Sequence, residues 1–238
     1  NISEKNKIPP FVIFQDLMLE AMCKEYPTSI EELSNINGVS VGKAEKYGDL
    51  FISEIIDFVE KNNINLKFIL NTHHHHDHVG GNKKLKQKYN SKVVGSKIDE
   101  FRIPEIDLKL SEGDFFKFGK INFEIIFIPG HTRGHIAFFS QSEKIIFTGD
   151  TLFSLGCGRI FEGTYEQMFA SLNKIKKLPS STKIYCGHEY TKNNYEFCIR
   201  YDGKNRFLQK KLNWINFQLN NSEPTVPISL SDELKTNI

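Results

Sequence analysis

The sequence of 238 residues contains no long apolar run. Its longest purely apolar stretches, such as residues 125–128, are far shorter than the roughly 20 residues that a membrane-spanning helix needs. The first residues also lack the charged-then-apolar leader of a secreted protein, so we predict a cytoplasmic protein without a membrane span. The sequence starts at Asn1, without methionine, and stops at Ile238 directly after a polar segment, and we expect it to be a fragment.

Cysteine is scarce, with only 4 in the chain, and no two of them form a CxxC pair or a regular framework. This pattern favours reduced thiols over disulfides. The apolar fraction of 39% and the charged fraction of 25% are typical of a globular protein. A chain of this length can bury the core of one sizeable domain, or of a small domain joined to a medium one.

Charge is divided unevenly along the chain. Residues 1–62 carry 6 Lys and no Arg against 11 acidic residues, net −5, whereas residues 63–238 carry 25 basic against 18 acidic residues, net +7. All eight histidines lie in the second part. We therefore predict two units, 1–62 and 63–238, with different functions.

The periodicity of apolar residues also changes near residue 64. Residues 1–62 are predicted to be helical, ending in an amphipathic helix within 49–63. From Ile64 onward, short apolar strands alternate with helices, which predicts a mixed α/β domain. The predicted strands are 66–70, 92–95, 121–128, 135–139, 144–149 and 182–186, and the predicted helices are 82–89, 165–178 and 191–219.

Four of these strands are each followed, within a few residues, by side chains that bind metals: THHHHDH at 72–78, His131, Asp150 and His188. In a sheet flanked by helices, loops beyond one set of strand ends converge. Imidazole and carboxylate are ligands that Zn²⁺, Fe²⁺ and Mn²⁺ accept without any cysteine. The histidine run alone is also compatible with an expression-tag remnant or a polar loop, but tags lie at termini and lack this aspartate.

The spacing within the histidine run indicates two ions rather than one. His73 and His75, two residues apart, can face one side of an extended segment and share an ion, while Asp77 and His78 turn toward a second. The three later side chains, His131, Asp150 and His188, complete two sets of about three ligands, with one carboxylate between the ions. Such half-filled coordination shells leave room for a hydroxide.

Five motifs resemble one known family: THHHHDHVGGN, PGHTRGH, FTGDTLFSLGCGRIFEGT, CGHEYTKNN and EPTVP. Over about residues 58–238 the sequence resembles the metallo-β-lactamase superfamily and, within it, glyoxalase II, the hydroxyacylglutathione hydrolases. The resemblance implies an α/β fold of the αββα sandwich type. It also implies that His73, His75 and His131 hold one divalent ion, that Asp77, His78 and His188 hold a second, and that Asp150 bridges them.

The same resemblance assigns roles to residues near the ions. Arg159 and Tyr190 match positions that hold the glutathione part of the substrate, and an arginine suits the carboxylates of that tripeptide. His74, His76 and His135 would not be direct ligands. Phe161 is expected to pack, and Cys157 is expected to be a small buried side chain rather than a nucleophile.

The implied reaction is hydrolysis of S-(2-hydroxyacyl)glutathione to glutathione and a 2-hydroxy acid, by a hydroxide between two ions held by Asp77 and Asp150 among others. Zinc is the expected metal, with iron and manganese as alternatives. The leaving thiolate has a pKa of roughly 8.5–9, so no strong general acid is required. Persulfide dioxygenase and phosphodiesterase activities occur in the same superfamily, and GCGRIFEGT argues against both.

The sequence departs from the family at both ends. The family's N-terminal strands are missing, and residues 1–57 instead resemble the HRDC domain of RecQ-like helicases, an all-α unit. Because this segment is acidic and has no arginine, we favour a packing or adaptor role over nucleic-acid binding. The family's C-terminal basic residues would lie beyond Ile238. A monomer is expected. The alternative function is that of a catalytically impaired fusion or fragment that acts through an HRDC-like nucleic-acid-binding or adaptor module.

Overall fold

The computed structural model describes residues 56–237. The helices predicted before residue 56 lie outside the described residues. The chain divides into two compact units: Asn1–Gly95 with Asp99–Lys109, and Ser96–Ile98 with Leu110–Ile238. Among residues 56–237, no helix combines the length and the apolar character that a bilayer span requires.

The first unit contains a small three-stranded sheet and the histidine run. Its described part begins with helical residues 56–61, which confirm the end of the predicted amphipathic helix. Strand β1 pairs in parallel with β2, and β3 lies on the other side of β2. Val79, Val93 and Ile103 form its buried core. The elements are β1 (Phe68–Leu70), α1 (His76–Val79), α2 (Asn82–Tyr89), β2 (Lys92–Ser96) and β3 (Ile106–Leu110).

The second unit is built on a six-stranded sheet of order β11-β10-β7-β6-β5-β4 and a separate two-stranded hairpin, β8–β9. The apolar side chains of the central strands form its main core, with Ile175 from a helix packed against them. The strands are β4 (Phe115–Phe118), β5 (Ile121–Phe127), β6 (Ile136–Ser140), β7 (Ile145–Gly149), β8 (Leu152–Phe153), β9 (Gly156–Cys157), β10 (Lys183–Cys186) and β11 (Ile228–Ser229).

Strand direction in this sheet explains where the predicted ligands lie. β5 is antiparallel to β6, β6 is antiparallel to β7, and β7 is parallel to β10. Strands β5, β7 and β10 therefore point the same way, and their C-terminal ends meet at one edge of the sheet. Polar loops that follow those three ends are brought together at that edge.

Four helices complete the second unit: α3 (Tyr165–Lys176), α4 (Thr191–Tyr201), α5 (Arg206–Asn220) and α6 (Leu230–Thr236). A capping box formed by Thr164 and Gln167 begins α3. The prediction of a single helix over 191–219 was wrong, because the first helix ends at Tyr201 and a second begins at Arg206. Asn205 begins the second helix by accepting the backbone N–H groups of Phe207 and Leu208.

Helix α6 is tied to the tip of the β8–β9 hairpin by a buried acid. The Glu233 carboxylate accepts the backbone N–H of Leu155 at 2.8 Å and the side-chain amide of Asn237 at 3.1 Å. Leu155 has a φ of 61°, a left-handed conformation that is uncommon for leucine and needs such support.

Replacing Glu233 by glutamine should stabilise the protein increasingly as the pH rises. Burial raises the pKa of Glu233 from 4.5 to about 7, against the opposing effects of the Leu155 N–H and of Lys211. Because the folded-state pKa lies above the unfolded one, the stability that Glu233 contributes is fully present below pH 4.5 and is lost as the pH rises through 7. The free energy of unfolding of Glu233→Gln relative to the parent protein should rise by about 2 kcal/mol between pH 5 and pH 8.

Urea denaturation at the two pH values measures this difference. The exposed Glu223 provides the control, since Glu223→Gln should shift stability equally at both. A difference for Glu233→Gln that does not change with pH would contradict the prediction.

Candidate metal centre

In the first unit, the histidine run brings four predicted ligands together at the end of β1. Helix α1 begins at His76, so His73 and His75 precede the helix while Asp77 and His78 lie in it. The Nε2 atom of His73 lies 3.1 Å from Nδ1 of His75, and the rings of His73 and His78 are 4.2 Å apart between centroids. His78 Nε2 lies 3.5 Å from the Asp77 carboxylate. Three imidazoles and a carboxylate this close are a donor set that fits divalent cations.

The histidine between the first two predicted ligands is held by a buried polar cluster. His74 Nδ1 lies 3.2 Å from Asp99 Oδ2, and Arg102 donates both to His74 Nε2 and to Asp99. Burial alone raises the pKa of Asp99, but the hydrogen bonds from His74 and Arg102 outweigh it and hold that pKa below its usual value. His74 therefore fixes the loop that carries its two neighbours.

Removing the Asp99 carboxylate should destabilise the first unit. Asp99→Ala leaves the His74 ring and part of the Arg102 guanidinium without their acceptor in a buried place, and should lower the free energy of unfolding by about 2 kcal/mol. Urea denaturation measures this loss. Glu100→Ala, which breaks only the partly exposed pair with Lys109, should cost less than about 1 kcal/mol. Equal losses for the two variants would contradict the buried role of Asp99.

In the second unit, the three predicted ligands lie at the common edge of β5, β7 and β10. The Oδ2 atom of Asp150 is 3.6 Å from His131 Nε2 and 3.2 Å from His188 Nε2. Asp150 and His131 are buried, and His188 is partly exposed. One carboxylate oxygen thus lies between two imidazoles, the arrangement that a shared carboxylate ligand needs.

Hydrogen bonds around this group orient its ring nitrogens. The carbonyl of Arg159 lies 2.8 Å from His131 Nδ1, so that nitrogen carries the proton and Nε2 presents its lone pair toward Asp150. Two acceptors facing each other repel unless a cation or a further proton joins them, so this geometry fits a metal ion. His135 Nε2 accepts the backbone N–H of Asp150 at 3.1 Å, which places His135 as a support for Asp150.

Close backbone packing also requires a glycine at one position in this region. A Cβ atom on Gly158 would lie 1.8 Å from the carbonyl oxygen of Asp150 and 3.1 Å from His131 Nδ1. Only glycine allows the chain leading to Arg159 to pass so close to the predicted ligands.

The two residues predicted to bind substrate have different surroundings. Both Arg159 and Tyr190 are exposed, but the Tyr190 ring also stacks on the His188 ring with 5.2 Å between centroids. Phe161 packs against His131 at 5.1 Å, as expected for a packing residue. The expectation that Cys157 is buried was wrong. Cys157 lies in β9 of the two-stranded hairpin and is exposed, because such a hairpin cannot bury both of its faces.

Several residues around the predicted ligands carry no recognisable sequence signal. Asp99 and Arg102 lie 25 and 28 residues from His74, and Glu233 lies 78 residues from Leu155. No spacing rule connects such pairs.

Comparison with known proteins identifies the family. Residues 42–188 match the metallo-beta-lactamase superfamily, and residues 189–238 match the hydroxyacylglutathione hydrolase C-terminus. A hydroxyacylglutathione hydrolase from Pelagibacter ubique is 55% identical over 184 residues, covering 77% of each chain. The chain belongs to the hydroxyacylglutathione hydrolase family.

Further comparisons of this hydroxyacylglutathione hydrolase family member concern the family, the fold and the N-terminal segment in turn. A hydroxyacylglutathione hydrolase from Synechococcus sp. is 45% identical over 170 residues, covering 71% of this chain and 68% of that one. A crystal structure of TTHA1623 in a di-iron-bound form, 24% identical, shares the fold with a TM-score of 0.56 over 78% of this chain and 83% of that chain. Residues 1–55 match the HRDC domain.

These findings confirm the predicted metallo-β-lactamase-type α/β fold and the HRDC resemblance of the N-terminal segment. The expected loss of the family's N-terminal strands concerns residues outside the described ones. Superfamily membership and the two groups of His and Asp side chains indicate divalent metal binding by this hydroxyacylglutathione hydrolase family member.

Proposed function

We propose that the protein is a dinuclear, metal-dependent thioester hydrolase that cleaves S-(2-hydroxyacyl)glutathione, such as S-lactoylglutathione, to glutathione and a 2-hydroxy acid. The observation that carries the proposal is 55% identity with the Pelagibacter hydroxyacylglutathione hydrolase over 77% of the chain. A cytoplasmic, monomeric enzyme remains part of this proposal.

The proposed metal ligands are the seven side chains that the family resemblance implies. His73, His75 and His131 would hold one ion, the three side chains Asp77, His78 and His188 would hold the other, and Asp150 would be shared. The assignment is supported by the short distances among His73, His75, Asp77 and His78 in the first unit and, separately, among His131, Asp150 and His188 in the second. Two divalent ions held in this way lower the pKa of water to about 7 and polarise a carbonyl. The donors are nitrogen and oxygen, which suits zinc, with iron or manganese as alternatives.

The remaining side chains bind and orient. Arg159 would pair with a carboxylate of the glutathione moiety through two parallel hydrogen bonds. Tyr190 would offer its hydroxyl to the tripeptide while its ring keeps His188 in place. His135 holds the backbone of Asp150, so the shared carboxylate keeps its position when substrate arrives.

Purified protein tests the proposal directly. We expect close to two Zn, Fe or Mn ions per chain by elemental analysis, and a steady loss of thioester ultraviolet absorbance with S-lactoylglutathione. The parent protein stripped by a chelator should lose the activity and regain it when metal is restored. A folded, metal-loaded sample that hydrolyses no glutathione thioester would overturn the proposal.

The N-terminal segment supports a second candidate function, because residues 1–55 match the HRDC domain. We propose that this segment, predicted as a unit over residues 1–62, has a helical packing or adaptor role. Its net charge of −5 argues against a phosphate-binding groove. A salt-dependent mobility shift with single-stranded DNA would contradict this preference.

A further inference from the structure

The turn of the β8–β9 hairpin, residues 153–156, is held by the C-terminal helices through a set of contacts that the proposed chemistry does not use. Glu233 of α6 accepts the N–H of Leu155, and the Asn194 side chain of α4 donates to the carbonyl of Ser154 at 2.9 Å. The thiol of Cys198, also in α4, lies 3.2 Å from the Leu155 carbonyl. Two helices thus hold both the N–H and the carbonyl groups of one short turn.

This turn is connected to both side chains proposed to bind glutathione. The ring of Phe153, at the start of the turn, lies edge-on to Tyr190 at 5.2 Å. At its other end, the chain continues from Gly156 through the tight passage at Gly158 to Arg159. A displacement of the turn would therefore change the position of both residues.

We propose that Glu233 is a positioning residue that holds the hairpin turn and thereby sets the geometry of the glutathione-binding side chains. The inference rests on the proposed function, since it concerns how that same site binds its substrate. It goes further by assigning the task to an acid in the last described helix, far from the metal ligands in the sequence.

The environment of Glu233 supports this role. The residue is only 3% exposed, and its Oε1 atom has no hydrogen-bond partner within residues 56–237. Because the side chain is buried, water does not compete for the hydrogen bonds that it accepts from Leu155 and Asn237. Among the described residues, the titratable groups near it are Lys211 of α5 and Asp232 of α6, which pair at 2.8 Å, and the Cys186 thiol of β10, whose pKa is raised to about 11 by burial.

Asp150 and Thr151, which precede the hairpin and lie next to the predicted metal ligands, are held by other hydrogen bonds. The Asp150 N–H is bonded to His135, and the Thr151 hydroxyl donates to the Ile128 carbonyl at 3.2 Å. Loss of the Glu233 contact should therefore disturb substrate binding more than metal binding. This asymmetry separates a positioning role from a general structural one.

Three variants of the full chain test the proposal. Glu233→Met removes the acceptor at similar size, Glu233→Gln keeps an acceptor, and Asp232→Asn is the matched control on the same helix. With S-lactoylglutathione, Glu233→Met should raise KM by about fivefold or more while kcat and metal content stay within about twofold. The other two variants should keep KM within about twofold of the parent protein.

Amide hydrogen exchange at Leu155 provides a readout that does not depend on activity. Exchange should accelerate in Glu233→Met and stay slow in Glu233→Gln. If Glu233→Met fails to fold, Asn194→Ala, which frees the Ser154 carbonyl from α4, should raise KM by about threefold at unchanged kcat. Faster exchange with unchanged KM, or equal losses in kcat and metal content, would overturn the proposal.

A second measurement distinguishes failure of the proposed function from failure of the positioning role. If the parent protein cleaves no glutathione thioester, equilibrium binding of S-methylglutathione replaces KM as the measurement. Weaker binding by Glu233→Met but not by Glu233→Gln would then support the positioning role, and equal binding by all variants would overturn it.

Discussion

Asp150→Asn should lower kcat for S-lactoylglutathione by about 10³-fold and should reduce the metal content below two ions per chain. The physical reason is charge: Asp150 Oδ2 lies within 3.6 Å of both His131 and His188, and asparagine keeps the shape of the side chain but not its negative charge. A shared carboxylate neutralises part of the charge of two divalent ions, and its loss costs several kcal/mol of binding and transition-state stabilisation. Steady-state kinetics with elemental analysis of the same samples measures both effects.

Asp150 follows β7, and a residue that precedes the same strand provides the control. Glu143 precedes β7 and is exposed, so Glu143→Gln makes a matched carboxylate-to-amide change away from the predicted ligands. It should leave kcat and metal content unchanged. Two ions per chain and full activity in Asp150→Asn would show that Asp150 is not a shared ligand.

Arg159→Glu should raise KM for S-lactoylglutathione by about 30-fold and should change kcat by no more than about threefold. Arg159 is exposed and its side chain is proposed to pair with a carboxylate of glutathione, so the substitution replaces attraction by repulsion in binding. Removal of a charged hydrogen-bond partner is worth about 1.5–3 kcal/mol, which corresponds to this change in KM. The backbone carbonyl of Arg159, which accepts from His131, remains in the variant.

Raising the salt concentration should narrow the difference in KM between Arg159→Glu and the parent protein, because screening weakens both attraction and repulsion. Arg200→Glu, an exposed charge reversal on α4, is the matched control and should leave both kinetic constants unchanged. If Arg159→Glu lowers kcat and raises KM in equal proportion, Arg159 acts on the reaction itself and the binding role is wrong.

Much of the fold could be predicted because its central strands are apolar and bounded by turns. Each of the six predicted strands corresponds to a strand of the structure, with ends that differ by a few residues. The prediction missed β3 and β4, whose side chains are largely exposed and therefore lack the apolar pattern of a core strand. The hairpin β8–β9 and strand β11 are only two residues long, too short for any periodicity to register.

The ligand candidates were predictable for a related reason. His131, Asp150 and His188 each follow an apolar strand, and the directions of β5, β7 and β10 bring those three positions to one edge. The contacts that orient them were not predictable. The hydrogen bond that the Asp150 backbone N–H donates to His135 depends on the antiparallel register of β6 and β7, which no local pattern specifies.

The amino-acid sequence by itself determined the chemistry available to this protein, because the kinds of side chain and their position after apolar strands restrict which ions can be bound. It also determined the family, through motifs whose residues are adjacent in the chain. The tertiary structure alone decided how those side chains are held: His74 by Asp99 and Arg102, and the hairpin turn by Glu233. Hydrogen bonds between residues 25 to 78 positions apart form only when packing brings their atoms within about 3 Å, and packing is a property of the whole chain.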